Sequence, residues 1–207
     1  MHINEQYTLY SLAHRFVKDY KYNVLYINEQ LSEVWLEKKD QKKSRVIRFI
    51  QRGFDWKNHL KKDVAGVFQR AKNLKQHLSS KNVEIFNIYV TTYQPIDSWE
   101  ELKKPMRLKE KNPMWMYLYY LDESDYVDEY VRLQEDIGMS EDLEDLQIPD
   151  EGKKQKIHYY KTSLKNVLKQ QQEKVESIFT YGKPVFTYIL IAISLVLFLL
   201  LELNGGS

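Results

Sequence analysis

Hydrophobic and polar positions change their period several times along this chain, and each change marks an element. Tyr7, Tyr10, Ala13, Phe16, Val17 and Tyr20 recur at three- and four-residue spacing, the stripe of an amphipathic first helix. The period then shortens. Val24-Leu25-Tyr26-Ile27 is a β-favouring run with Asn28-Glu29-Gln30 as its turn, and Val34-Trp35-Leu36 predicts a second strand. The polar run from Lys38 to Lys43 reads as a solvated hairpin tip. Arg45 to Ile50 predicts a third strand, whose arginines, three apart, point to opposite faces and mark a strand end and a partly exposed sheet face. Gly53-Phe54-Asp55 opens a long helix with Asp55 as N-cap, and Leu60, Val64, Val67, Phe68, Ala71, Leu74 and Leu78 carry its stripe to about Ser80. Val83 to Val90 predicts a fourth strand.

The order helix, three strands, helix, strand predicts an α/β domain over 1–138, with three strands in meander and a helical crossover into the fourth. Beyond that core, Asp97 or Ser98 is placed to cap a short helix through Trp99 and Leu102. Trp115 to Leu121 reads as a further strand and Asp125 to Ile137 as a helix. The acidic residues Glu141, Asp142, Glu144, Asp145, Asp150 and Glu151 place a flexible linker over 139–156. Tyr160, Leu164, Leu168, Val175 and Phe179, spaced among lysines, predict a basic juxtamembrane helix over 157–183. It reads equally as an interfacial helix meeting anionic lipid or as a solvated connector.

From Pro184 to Leu201 no residue carries a charge, which is long enough at 1.5 Å per residue to cross a hydrocarbon core. The pattern therefore predicts one transmembrane helix over 184–203, followed at 204–207 by the start of an extracytoplasmic loop. Lys161, Lys165, Lys169, Lys174 and Lys183 approach it from the N-terminal side, so the positive-inside rule places the preceding domain in the cytoplasm of a cell-membrane protein.

Composition removes several chemistries. The net charge of +2 gives no global basic field, so nucleic acid is not an expected partner. With no cysteine in its 207 residues, the chain has no disulfide, zinc-thiolate site or thiol nucleophile. No serine stands in a Gly-x-Ser-x-Gly context, and Ser194 has no histidine partner on another span. Two candidate sites remain. Asp55, His59 and Asp63 are spaced i, i+4, i+8, and their donors suit a regulatory Mn²⁺, Mg²⁺ or Zn²⁺ in adjacent pairs. The same residues also read as a cap, an exposed imidazole and a carboxylate paired with Lys62 or another lysine. Trp99, Trp115, Tyr117, Tyr119 and Tyr120 form an aromatic set for docking a protein, provided that the rings are exposed.

Two resemblances add to this. The order of the core resembles, in topology only, the restriction-endonuclease-like nucleases. That family places an acidic residue on its second strand, a place Glu33 or Glu37 could take, and an acidic-x-Lys pair on its third. Here the third strand reads Arg48-Phe49-Ile50-Gln51-Arg52, so the resemblance implies a non-catalytic version. The second resemblance covers nearly all of the chain. Tyr181 to Tyr188, the apolar run, and Leu201-Glu202-Leu203-Asn204-Gly205-Gly206-Ser207 resemble the first transmembrane helix of the long, GluP-like bacterial rhomboid proteases. Trp35-Leu36-Glu37, Asp55-Trp56 and Trp99-Glu100-Glu101 resemble their cytoplasmic domain more loosely. This resemblance implies a fragment of an intramembrane serine protease that cleaves membrane proteins. The protease needs no cofactor for catalysis, and its Gly-x-Ser-Gly serine and its histidine lie on later spans, with no catalytic residue in this chain. The bilayer and membrane-protein substrates or adaptors are the implied partners. A single-pass anchor that senses a divalent cation or docks a protein, with no protease activity, is the alternative.

Overall fold

The computed structural model describes residues 3–40, 43–77, 82–108, 113–139 and 149–174. The chain forms two units, Met1–Lys165 and Asn166–Ser207. The first contains α1 (Ile3–Lys18), β1 (Asn23–Asn28), β2 (Glu33–Lys39), β3 (Lys43–Gln51), α2 (Lys57–His77) and β4 (Asn82–Val90). A 3₁₀ turn at Glu100–Lys103, β5 (Met106–Leu108), β6 (Met114–Leu121) and α3 (Tyr126–Ile137) follow. A fourth helix, α4, runs over 150–174.

The six strands form one mixed sheet in the order β1-β2-β3-β4-β6-β5. β1, β2 and β3 are the expected antiparallel meander, α2 crosses over into β4, and β3, β4 and β6 run parallel. β5, too short to leave a periodic signal, adds an antiparallel edge. β3 and β4 are covered on both faces, which is why they read as almost continuous apolar runs. On one face Val46, Ile50, Val83, Ile85, Tyr89, Met116 and Tyr120 pack against Leu60, Val64, Val67 and Ala71 of α2. On the other, α1 lies over β2, β3 and β4, with the Phe16 ring 5.7 Å from that of Phe49.

α1 is buried nearly all round, Thr8, Leu9, Ser11 and Leu12 included, because α3 and α4 close over it. Arg15 donates to the Tyr130 hydroxyl of α3 at 3.4 Å, and Lys153 of α4 donates to Asn4 at 2.8 Å. Ile157, Tyr160 and Leu164 of α4 are buried, and the Lys161 ammonium sits 4.7 Å over the Tyr10 ring. This first part of α4 is thus a packed element of the domain. It begins at 150, seven residues before the predicted start and inside the stretch expected as linker. Among the described residues no helix is long and apolar enough to cross a membrane, and the predicted span over 184–203 lies outside them.

Two local expectations are corrected. Asp55 precedes α2 without capping it; the Lys57 N–H donates to the Asp97 carboxylate at 2.6 Å instead. Asp97 is therefore committed to α2, and the 3₁₀ turn starts from Trp99 with no side-chain cap. The second concerns Arg48, which is not on an exposed face. It is 1% exposed at the centre of the sheet, while Arg45 points to the opposite face and donates to the Ile137 carbonyl of α3 at 3.1 Å.

Gly53, at the turn from β3 to α2, is required by close approach: a Cβ there would sit 2.6 Å from the Thr91 hydroxyl oxygen. At the other end of the fold Gly138 (φ +76°) gives α3 its left-handed C-cap, its N–H donating to the Gln134 carbonyl.

Candidate functional site

Arg48 lies between β2 and β4, with Trp35 beside it on one strand and Asn87 on the other. The register brings in a carboxylate from further along β2: Arg48 Nε donates to Glu33 Oε1 at 2.5 Å, and Nη1 donates to Asn87 Oδ1 at 2.9 Å. Trp35 Nε1 donates to the same Glu33 oxygen at 2.9 Å. Asn87 then donates to the Tyr89 hydroxyl at 3.2 Å, and that hydroxyl donates to Asp63 Oδ2 at 2.7 Å. Arg52 closes the chain on Asp63 Oδ1 at 2.8 Å. One continuous polar network thus runs from the sheet centre to α2, every link at hydrogen-bond distance.

Its outer end opens into a cleft of about 630 Å³ between the end of β3 and α2, lined by Arg52, Phe54, His59, Lys62, Asp63, Gly66 and Arg70. Arg52 and Arg70 are about half exposed, and Arg70 also stands 3.9 Å from the buried Glu33. Arg52, Arg70 and Lys62 face the single carboxylate Asp63 on the cleft walls, so the surplus charge is positive. Gly66 lines this wall from the interior of an exposed helix, where glycine costs roughly 1 kcal/mol relative to alanine. Nothing lies within 4 Å of where its Cβ would be, so an alanine there would meet open space.

Of the candidate metal residues, His59 and Asp63 both line this cleft, and Asp55 is not among its walls. Asp63 is held by Arg52 and Tyr89, not by a lysine. His59 is exposed on the cleft rim. Asp55 lies before the helix against Tyr93, whose hydroxyl its charge holds above the ordinary value. Among the described residues no three His, Cys, Asp or Glu side chains are grouped to hold a metal ion. Of the aromatic set, Trp99, Tyr119 and Tyr120 are buried core. Trp115 and Tyr117 are half-buried, the first under the Arg107 guanidinium at 4.4 Å and the second stacked on Phe86 at 5.4 Å.

Glu33 and Glu37, the acidic pair of the second strand, are both engaged internally. Glu33 serves Arg48, and Glu37 accepts the Ser44 hydroxyl at 2.6 Å. An arginine stands on β3 beside the carboxylate, which neutralises the group that a metal-dependent nuclease would leave free. The sequence did carry a trace of this network: Asn87 interrupts the apolar run of β4, as Arg48 interrupts β3.

The tyrosines of this face give the domain an alkaline limit. Burial pushes the Tyr89 hydroxyl well above its ordinary value, against the opposing pull of Arg48, and burial above all pushes Tyr120 up to about 12. Unfolded, each ionises near pH 10. Above that pH the unfolded chain binds fewer protons than the folded one, so stability falls. The Tyr120 contribution is complete below about pH 10 and lost by about pH 12. Denaturant unfolding at pH 8 and pH 11 is expected to give a lower midpoint at pH 11; equal midpoints would refute the assignment.

No protein-family model matches the chain. It is similar to the Rhomboid protease GluP of Bacillus subtilis (strain 168), with 28% identity over 210 residues, covering 98% of this chain and 39% of the relative. The chain spans about two fifths of the relative's length, while almost none of the chain is left unmatched. On that likeness it is similar to the N-terminal region of a GluP-like rhomboid protease, in agreement with what its own motifs imply.

Proposed function

We propose that these residues are the N-terminal recognition region of a rhomboid-type intramembrane serine endopeptidase that cleaves membrane proteins, its serine and histidine supplied by later spans. The likeness along 98% of the chain to a named rhomboid protease carries this reading. The buried Arg48–Glu33 pair supports reading the core as a non-catalytic version of the nuclease-like arrangement, a scaffold whose chemistry has been silenced. The domain's own part is to hold the cytoplasmic segment of a substrate or adaptor. Its positively charged cleft favours a segment carrying carboxylates, since guanidinium groups bind these in a bidentate fork.

The test extends the natural reading frame beyond Ser207 and assays the purified membrane protein. It is expected to hydrolyse a membrane-protein substrate. Arg52→Glu with Arg70→Glu is expected to slow cleavage of substrates with an acidic cytoplasmic segment about tenfold, and to spare substrates without one. Absence of hydrolysis would refute the protease reading. Equal slowing of both substrates would refute the role given to the cleft.

A further inference from the structure

Two loops beside the cleft expose large apolar side chains: Trp56, Tyr93 and Ile96 are 51%, 52% and 76% exposed. Trp56 stands in the turn from β3 to α2, and Tyr93 and Ile96 in the loop that follows β4. All three therefore lie outside the carboxyl ends of neighbouring parallel strands, the end at which open α/β sheets bind ligands. The loops are fastened side by side. The Ile96 N–H donates to the Asp55 carbonyl at 2.9 Å, and the Lys57 N–H donates to the Asp97 carboxylate at 2.6 Å. The Tyr93 ring lies against Gly53, 3.5 Å from where a Cβ would be.

These loops border the cleft. Gly53 sits between Arg52 and Phe54, two of its walls, and the Trp56 carbonyl accepts the N–H of His59, a third, at 3.1 Å. Charge divides the surface into two parts. The cleft presents Arg52, Lys62 and Arg70 against one carboxylate. The loops carry Asp55 and Asp97, and Glu101 stands 3.6 Å from the Lys57 ammonium. An acidic group is thus drawn into the cleft and kept off the loops. An anionic lipid surface laid on the aromatic rings would meet these carboxylates, so the charge pattern favours a peptide over a bilayer.

We infer that loops and cleft form one docking surface for a peptide segment that carries carboxylates beside an aromatic or aliphatic residue. The acid enters the cleft on Arg52 and Arg70, and the apolar side chain covers Trp56, Tyr93 and Ile96. This inference deepens the role proposed for the cleft and rests on it. Exposed guanidinium groups alone hold an acid by an attraction that salt screens. Burial of an apolar side chain against exposed rings adds affinity that salt does not screen, and aromatic anchors are where such affinity concentrates.

The test titrates the 207-residue chain, in a mild nonionic detergent, into fluorescein-labelled Gly/Ser peptides read by anisotropy. One peptide carries paired glutamates flanked on both sides by phenylalanine, and the other carries the glutamates alone. The first is expected to bind about tenfold more tightly. Added salt is expected to weaken both in parallel and preserve that ratio. Trp56→Ser with Ile96→Ser is expected to bring the two peptides to equal affinity. Val127→Ser with Val131→Ser, exposed apolar positions on α3, is expected to leave the ratio unchanged. Equal affinities for the wild-type chain, with binding retained, would overturn the inference and leave the role of the cleft standing; binding of neither peptide would overturn both. A ratio that survives Trp56→Ser with Ile96→Ser would also overturn it. Equal affinities together with quenching of Trp56 emission by brominated phosphatidylglycerol would place lipid on the loops instead. The wild-type comparison decides the matter even if a variant does not fold.

Discussion

Replacing Arg48 by methionine is expected to cost the domain about 3–5 kcal/mol, the range for breaking a buried pair by removing one partner. The methionine fills most of the arginine's volume, so the loss is electrostatic and not a cavity. Glu33 stays buried, with the Trp35 indole N–H as its near donor and Arg70 3.9 Å away. Asn87 loses the donor to its Oδ1 as well. The check is a double-mutant cycle with Glu33→Gln, read by denaturant unfolding. Glu33→Gln removes the charge that Arg48→Met strands, so the double variant is expected to be more stable than the sum of the singles by at least about 1.5 kcal/mol. Additive costs would show that Arg48 contributes packing alone. The cycle also tests whether the network reaches the cleft. Breaking it at Arg48 is expected to loosen Asp63, through Asn87 and Tyr89, and to weaken any ligand held by Arg52.

Phe49→Ala is expected to cost a further class of stability, about 3–5 kcal/mol from lost burial and the cavity left behind. Phe49 is fully buried on the face opposite Arg48 and packs against Phe16. For a chain of this size the loss lowers Tm by roughly 10 °C. It is also expected to be local, because α1 is held between the sheet and α4. Amides of α1 are expected to lose hydrogen-exchange protection before those of β4. A uniform loss of protection across the domain would show that the two faces unfold as one. Arg48 and Phe49, adjacent in sequence, thus anchor opposite layers of the fold through unrelated forces.

Local pattern along the chain suffices for the elements and their order. Periods of 2 and 3.6 are local properties, so α1, the meander, the crossover helix, β4, β6 and α3 were legible within a few residues of their ends. The GluP-like motifs were legible for the same reason, being short and contiguous. Which residues meet across elements is set by long-range packing. Arg48 reads as an exposed-face residue until the register puts Glu33, 15 positions away, and Asn87, 39 away, against it. Asp55 is a plausible cap by position, yet Asp97 reaches the same N–H from 40 residues away. Asp55, His59 and Asp63 share a face only if the helix includes all three, and it begins after the first. Pattern along a chain reports which side of an element faces the core. It carries no information on which charge stands on the neighbouring strand, because that depends on strand register and crossover connections, which join residues far apart in sequence.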